Sequence, residues 1–200
     1  MQENFFTGNL TPESALHYAK WLWMLLAGFW VVLAFATKRT KRTETPLQRI
    51  WHLAPLAIGF WFLFGQADSF PWLRLRLIPN LPVFWWAGLL LTAVGISISI
   101  WARLSLGSNW SGTVTLKDNH ELIRNGLYSR VRHPIYTGIL LGVFGTGMIH
   151  SQLRDLLGFL LLYISFYFKA RREESFLQHE FGDSFGEHRH RTGMFLPKLF

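Results

Sequence analysis

The residues of this chain that can do chemistry gather in two polar segments. The first ends in Arg130, Val131, Arg132, His133, Pro134, Ile135 and Tyr136. Proline suits the first turn of a helix, where its missing N–H is not needed and its fixed φ is already helical, so His133 stands at or beside an N-cap. Backbone donors at such a terminus, with Arg130 and Arg132 close by, form a site for a carboxylate or another anion. Taken alone, the arginines read first as the positive flank of a membrane helix. The second segment opens with Lys169 and Glu173, four apart and so on one helix face, and Glu173 with Glu174 is the only adjacent acidic pair in the chain. Taken alone, that pair reads as solvated charge. His179, His188 and His190 match no helical zinc pattern, and with no Cys in the chain no metal is expected. Gly107 and Gly112 flank Asn109 and Trp110 without a strand–helix–strand unit around them, which excludes a Rossmann cofactor site.

The elements that must position these groups are membrane helices. Of 200 residues, 50% are hydrophobic and 16% charged, with ten Trp and eighteen Phe, more apolar surface than a soluble core of this size holds. The net charge of +8 lies in short blocks between long uncharged stretches, which argues for anionic lipid rather than nucleic acid. Those stretches run from Trp21 to Thr37, Ile50 to Ala67, Leu77 to Ala102, His133 to Leu153 and Leu156 to Phe168. A span needs roughly twenty apolar residues, so the first four qualify, while the fifth covers only about 20 Å. Residues 133 to 168 read as a hairpin turning near Ser151 to Asp155; a re-entrant pair would bury Arg154 and Asp155 at considerable cost. The first stretch follows an acidic flank and precedes Lys38, Arg39, Lys41 and Arg42, a stop-transfer arrangement rather than a signal peptide.

With five spans, sixteen of the twenty Lys and Arg fall on one side and Lys20, Arg74, Arg76 and Arg154 on the other. The positive-inside rule then puts the N-terminus outside and both polar segments in the cytoplasm. The expected architecture is all-α: a multi-pass integral membrane protein with about five transmembrane helices, the last two a hairpin, and a cytoplasmic C-terminal helix. Residues 1–94 are expected to supply a supporting set of helices, the third continuing to about 103, and residues 95–200 the functional region. His52, near the end of its span, reads as structural. Gly138, Gly142, Gly145 and Gly147 give the fourth helix a thin face that another helix or a ligand can approach, with room for a thin lipid chain beside the hairpin.

The stretch from His120 to Gly138, HELIRNGLYSRVRHPIYTG, followed by EESFLQHEFG from Glu173, resembles the signature of the isoprenylcysteine carboxyl methyltransferase family. Those are integral membrane enzymes that use S-adenosyl-L-methionine, and the resemblance covers roughly residues 95 to 197. It implies a cofactor pocket lined by His120, Glu121, Leu122, Ile123, Tyr128, His133, Pro134, Ile135, Tyr136 and Glu173. Lys169 occupies the position of a basic residue that helps recruit substrate, where eukaryotic members carry Arg; a Lys lacks the bidentate fork, so a prenylcysteine carboxylate is the less secure substrate. Phe185 and His188 stand where the family has tyrosines. Lys169, Glu173 and Arg132 are the catalytic candidates. A sulfonium methyl is an activated electrophile, so holding donor and acceptor in line in a partly dry pocket supplies most of the rate, and an anionic acceptor needs no general base.

The expected activity is therefore methyl transfer from S-adenosyl-L-methionine to a lipophilic acceptor that enters from the bilayer, with membrane lipids as surroundings and no nucleic acid partner. The competing readings are a phospholipid N-methyltransferase, an NADPH-dependent sterol-type membrane reductase, and a non-enzymatic membrane protein.

Overall fold

The computed structural model of the chain describes residues 11–34, 46–65, 70–107 and 122–198. His120, Glu121, the Lys38 to Arg42 run, the extended piece expected at 113–116 and the loop around Asn109, Trp110 and Gly112 lie outside the described residues, as does the side chain of His52. The described residues are helical, with two isolated bridges and no strand. In chain order the helices are α1 (Pro12–Ala34), α2 (Pro46–Phe64), α3 (Pro82–Leu106), α4 (Pro134–His150), α5 (Leu153–Phe181) and α6 (Asp183–Arg191). The first four each begin on proline, where the missing N–H costs nothing.

By length and apolarity α1 and α3 suffice to cross a membrane, whereas α4, at 17 residues, and the apolar part of α2, Leu53–Phe64, are shorter. The bundle carries much apolar surface outward: Met24, Val32, Leu53, Leu90, Trp101 and Phe168 are all exposed. Its interior holds small and polar residues. Trp23 donates its indole N–H to Thr146 Oγ1 at 3.0 Å, Thr146 lies 3.1 Å from Thr92 Oγ1, and Thr92 donates to the Gly88 carbonyl at 2.8 Å, tying α1, α3 and α4 together. Such bonds have no water to compete with them in an apolar surrounding.

The most extensive contact in the bundle is α3 on α4, and it corrects the expectation of a lipid-sized gap along the glycine face. A Cβ on Gly138 would stand 2.5 Å from the Gly95 carbonyl oxygen, and one on Gly145 2.5 Å from that of Gly88. Gly138 and Gly145 are filled by the backbone of α3 and Gly142 by the Trp23 ring of α1, leaving no room there for an acyl chain. Gly147 instead faces the Asp155 side chain.

The α4–α5 hairpin turns where the sequence places it. Ser151 caps α4 in the left-handed region (φ 59°), and Gln152 donates its N–H to Asp155 Oδ2 at 2.9 Å in a capping box that opens α5. The fifth helix is far longer than its uncharged stretch, 29 residues in all. It runs on past Phe168 and carries Lys169, Glu173 and Glu174 away from the apolar zone, because Lys, Ala, Arg and Glu are good helix formers and nothing in 169–181 breaks it.

Candidate active site

Two helix ends meet a returning strap. The α4 N-terminus presents His133 and Tyr136, and the polar extension of α5 presents Lys169, Glu173 and Glu174. Residues 192–195 cross both. Arg132 donates its backbone N–H to the Gly193 carbonyl at 2.9 Å and His133 to that of Met194 at 3.1 Å, while Gly193 N–H returns to the Arg130 carbonyl at 3.2 Å. Thr137 Oγ1 donates to the Phe195 carbonyl at 2.7 Å.

The buried His133 ring stands between two carboxylates, with Nδ1 3.3 Å from Glu173 Oε2 and Nε2 3.3 Å from Glu174 Oε1. Tyr136 donates its hydroxyl to Glu173 Oε1 at 2.6 Å. Arg132 Nε pairs with Glu174 Oε1 at 2.7 Å, and its Nη1 donates to the Thr192 carbonyl. The rings of His133 and Tyr136 are stacked at 5.5 Å, those of Tyr136 and Phe166 at 4.7 Å, and Phe195 meets His133 and Tyr136 edge-on. Lys169 Nζ stands 5.5 Å from the centre of the Tyr136 ring.

Electrostatics follow from this packing. Burial disfavours charge on His133, but its hydrogen bonds to Glu173 and Glu174 prevail and raise its pKa, favouring the imidazolium. Burial opposes the Glu173 charge too, and is outweighed by the His133 hydrogen bond and the nearby Lys169, so the carboxyl is lowered. Glu174, likewise penalised by burial, is held down to about 2 by His133 and Arg132.

The structure brings together Lys169, Glu173, His133, Tyr136 and Arg132, with Pro134 and Ile135 in the first turn beneath them. Arg132 lies outward of the ring stack, tied to Glu174 and the strap. Leu122 and Ile123 are half-buried, and Ile123 packs with Tyr128, Ile135 and Ala102. Tyr128 is buried against α3, its hydroxyl donating to the Ala102 carbonyl at 3.3 Å, and burial pushes its phenol up. The acidic pair is not solvated charge: Glu174 is 3% exposed and Glu173 partly buried.

Sequence reasoning did not single out Phe166, Thr192 or Phe195, and gave Glu174 no separate role. The spacing Phe166, Lys169, Glu173 is i, i+3, i+7 on one helix face, a signal that was there to be read. No comparable signal marks Thr192 or Phe195, which reach the site through the strap.

Residues 83–184, just over half of the chain, match the family described as phospholipid methyltransferase. The chain belongs to the phospholipid methyltransferase family. Its relatives bear out the resemblance to the isoprenylcysteine carboxyl methyltransferases. The protein-S-isoprenylcysteine O-methyltransferase of Dictyostelium discoideum is 28% identical over 133 residues, 64% of this chain and 56% of that protein. The cobalt-zinc-cadmium resistance protein CzcN of Cupriavidus metallidurans is 35% identical over 121 residues, 58% of this chain and 52% of the relative. The solved structure of the eukaryotic intramembrane Ras methyltransferase ICMT, at 23% identity, covers 80% of this chain and 55% of that one with a TM-score of 0.54, a likeness of fold. The chain spans about two fifths to two thirds of the length of the curated relatives it matches.

A phospholipid methyltransferase family member needs a methyl donor, and the groups assembled here suit one that carries positive charge. An anionic Glu173 suits a cationic group on such a donor, while the Tyr136 ring is enclosed between His133 and Phe166.

Proposed function

We propose that this chain is a membrane-embedded methyltransferase that transfers a methyl group from S-adenosyl-L-methionine to a lipophilic acceptor. The observation that carries the reading is the single cluster of His133, Tyr136, Glu173 and Lys169 where the α4 N-terminus meets the extension of α5. The donor supplies a methyl group already activated by a sulfonium. Glu173, with Leu122, Ile123 and the first turn of α4, would hold it, along with His120 and Glu121. His133 orients Glu173 through Nδ1, Tyr136 fixes the same carboxylate from its other oxygen, and the ring stack keeps water from the reacting zone. Lys169 stands at the edge of this cluster as a flexible point charge for an anionic head group.

The electrostatics favour an acceptor that needs no deprotonation. His133 is biased toward its protonated form, and the pKa values of Glu173 and Glu174 are lowered, so none is a good base near neutral pH. A carboxylate, such as that of a prenylcysteine, or a thiolate fits better than a phospholipid amine. Five spans with the N-terminus outside, residues 1–94 as support and the site on the cytoplasmic face complete the reading, and the exposed apolar side chains of α1, α3 and α5 support it.

Titration calorimetry with S-adenosyl-L-methionine tests it. Glu173→Gln and His133→Ala are each expected to weaken binding more than tenfold, about 1.4 kcal/mol, in folded protein. Labelled methyl transfer should favour short prenylcysteine analogues over phosphatidylethanolamine. Unchanged affinity in both variants would remove these residues from the pocket.

A further inference from the structure

A cavity of about 370 Å³ lies beside α6, lined by Gln178, Gly186, Arg189, His190 and Lys198. Among the described residues its lining is basic and amide in character and includes no carboxylate. Gly186 is the telling residue. A glycine inside a helix costs roughly 0.5–1 kcal/mol relative to alanine, and a glycine is ordinarily retained there for close packing or an unusual φ. Gly186 has neither reason: a Cβ built on it meets nothing within 4 Å, and its φ is not in the left-handed region. Arg189 and His190, three and four residues on, share its face of α6. The missing side chain leaves open the space that these two residues border.

The surrounding groups hold donors toward that space. Lys198 spends one N–H on the His190 carbonyl, at 2.8 Å, and an ammonium has three. Arg189 Nε stands 3.8 Å from Glu174 Oε2, beyond hydrogen-bond reach, so its guanidinium is attracted to the buried carboxylate without being consumed by it. Gln178 donates to the Gly182 carbonyl at 3.0 Å, which holds its amide at the rim. Two permanent cations and an imidazole about a glycine-floored hollow are the chemistry of oxyanion recognition, with Arg suited to bidentate phosphate contacts and Lys to a point charge.

We infer that Gly186, Arg189, His190 and Lys198 form a binding site for a phosphate group, separate from the methyl-transfer cluster and independent of that activity. The phosphate can come from a soluble phosphomonoester or from an anionic lipid head group, and two arms of one experiment distinguish them. In the first, the full chain in neutral detergent is titrated with inorganic phosphate against chloride at matched ionic strength, followed by thermal melting and by ³¹P line broadening. In the second, it is placed in nanodiscs of phosphatidylcholine with or without phosphatidic acid, and phosphatidic acid protection is followed by the same melting. Saturable stabilisation by phosphate over chloride supports a soluble ligand; stabilisation confined to phosphatidic acid supports a lipid one. In either arm Gly186→Leu, which fills the hollow from a position free of contacts, and Lys198→Gln should each weaken the response at least tenfold, while Gly186→Ala controls for folding. Phosphate and phosphatidic acid that act no differently from chloride and phosphatidylcholine, or a response that survives Gly186→Leu in folded protein, would overturn the site.

Discussion

At the scale of single residues, His133 is defined by having a carboxylate on each ring nitrogen, and this sets how the cluster responds to pH. A raised imidazole pKa contributes stability that is complete below the ordinary value of about 6.5 and is lost as pH rises through the folded one. Lowered carboxyls contribute stability that is complete above about 4.5 and is lost as pH falls through their folded values, about 2 for Glu174. The cluster should therefore stabilise most between about pH 4.5 and 6.5, with melting temperature in detergent falling on both sides. In His133→Asn the alkaline fall should disappear; an identical alkaline profile in both proteins would place its origin elsewhere. The family resemblance pointed to His133, Tyr136, Glu173 and Lys169, whereas proline and the four-residue spacing gave only a helix start and a shared helix face, and taken alone the acidic pair read as solvated charge. Burial of Glu174 was not legible in the sequence, since it depends on Arg132, 42 positions away, and on a strap whose pairing with 130–133 has no periodic trace.

At the scale of elements, the glycine seam between α3 and α4 determines where the α4 N-terminus stands. Adding one methyl at Gly95 or Gly145 drives it into the backbone of the other helix, which cannot yield as a side chain can. Gly95→Ala and Gly145→Ala should each destabilise the protein by about 1–3 kcal/mol in a detergent unfolding titration. Gly28→Ala, on a face of α1 where a Cβ meets nothing, should be neutral or slightly stabilising. The start of α4 could be read from Pro134 and the hairpin turn from polar punctuation, whereas the starts of α1, α2 and α3 at Pro12, Pro46 and Pro82 were not. The partner of the glycine face could not be read, because periodicity says that a face is thin and not what lies on it. The continuation of α5 past Phe168 was readable, since Lys169 and Glu173 share a helix face: the charges there end an apolar stretch without ending the helix.

At the scale of the whole molecule, access to the site depends on which way the bundle faces. Sixteen of twenty basic residues share a side if five spans are counted, and the site draws on the segments at 122–136 and 169–195, so both must lie on one face of the membrane. Reporter fusions after residues 45 and 118 should both appear cytoplasmic, and opposite locations would defeat the five-span topology. The outward apolar side chains of α1, α3 and α5 agree with the hydropathy reading, and among the described residues α1 and α3 are the helices long and apolar enough to span on those criteria alone. The glycine seam has a genetic consequence. Gly145 lies about 18 Å along α4 from His133, yet α4 can seat its N-terminal end only where the backbone of α3 lets it lie. A random screen for inactive alleles should therefore return, beside changes at the site, a second set scattered along Gly88, Gly95, Gly138, Gly142 and Gly145, most of them far from any reacting atom and each invisible to a search confined to the pocket.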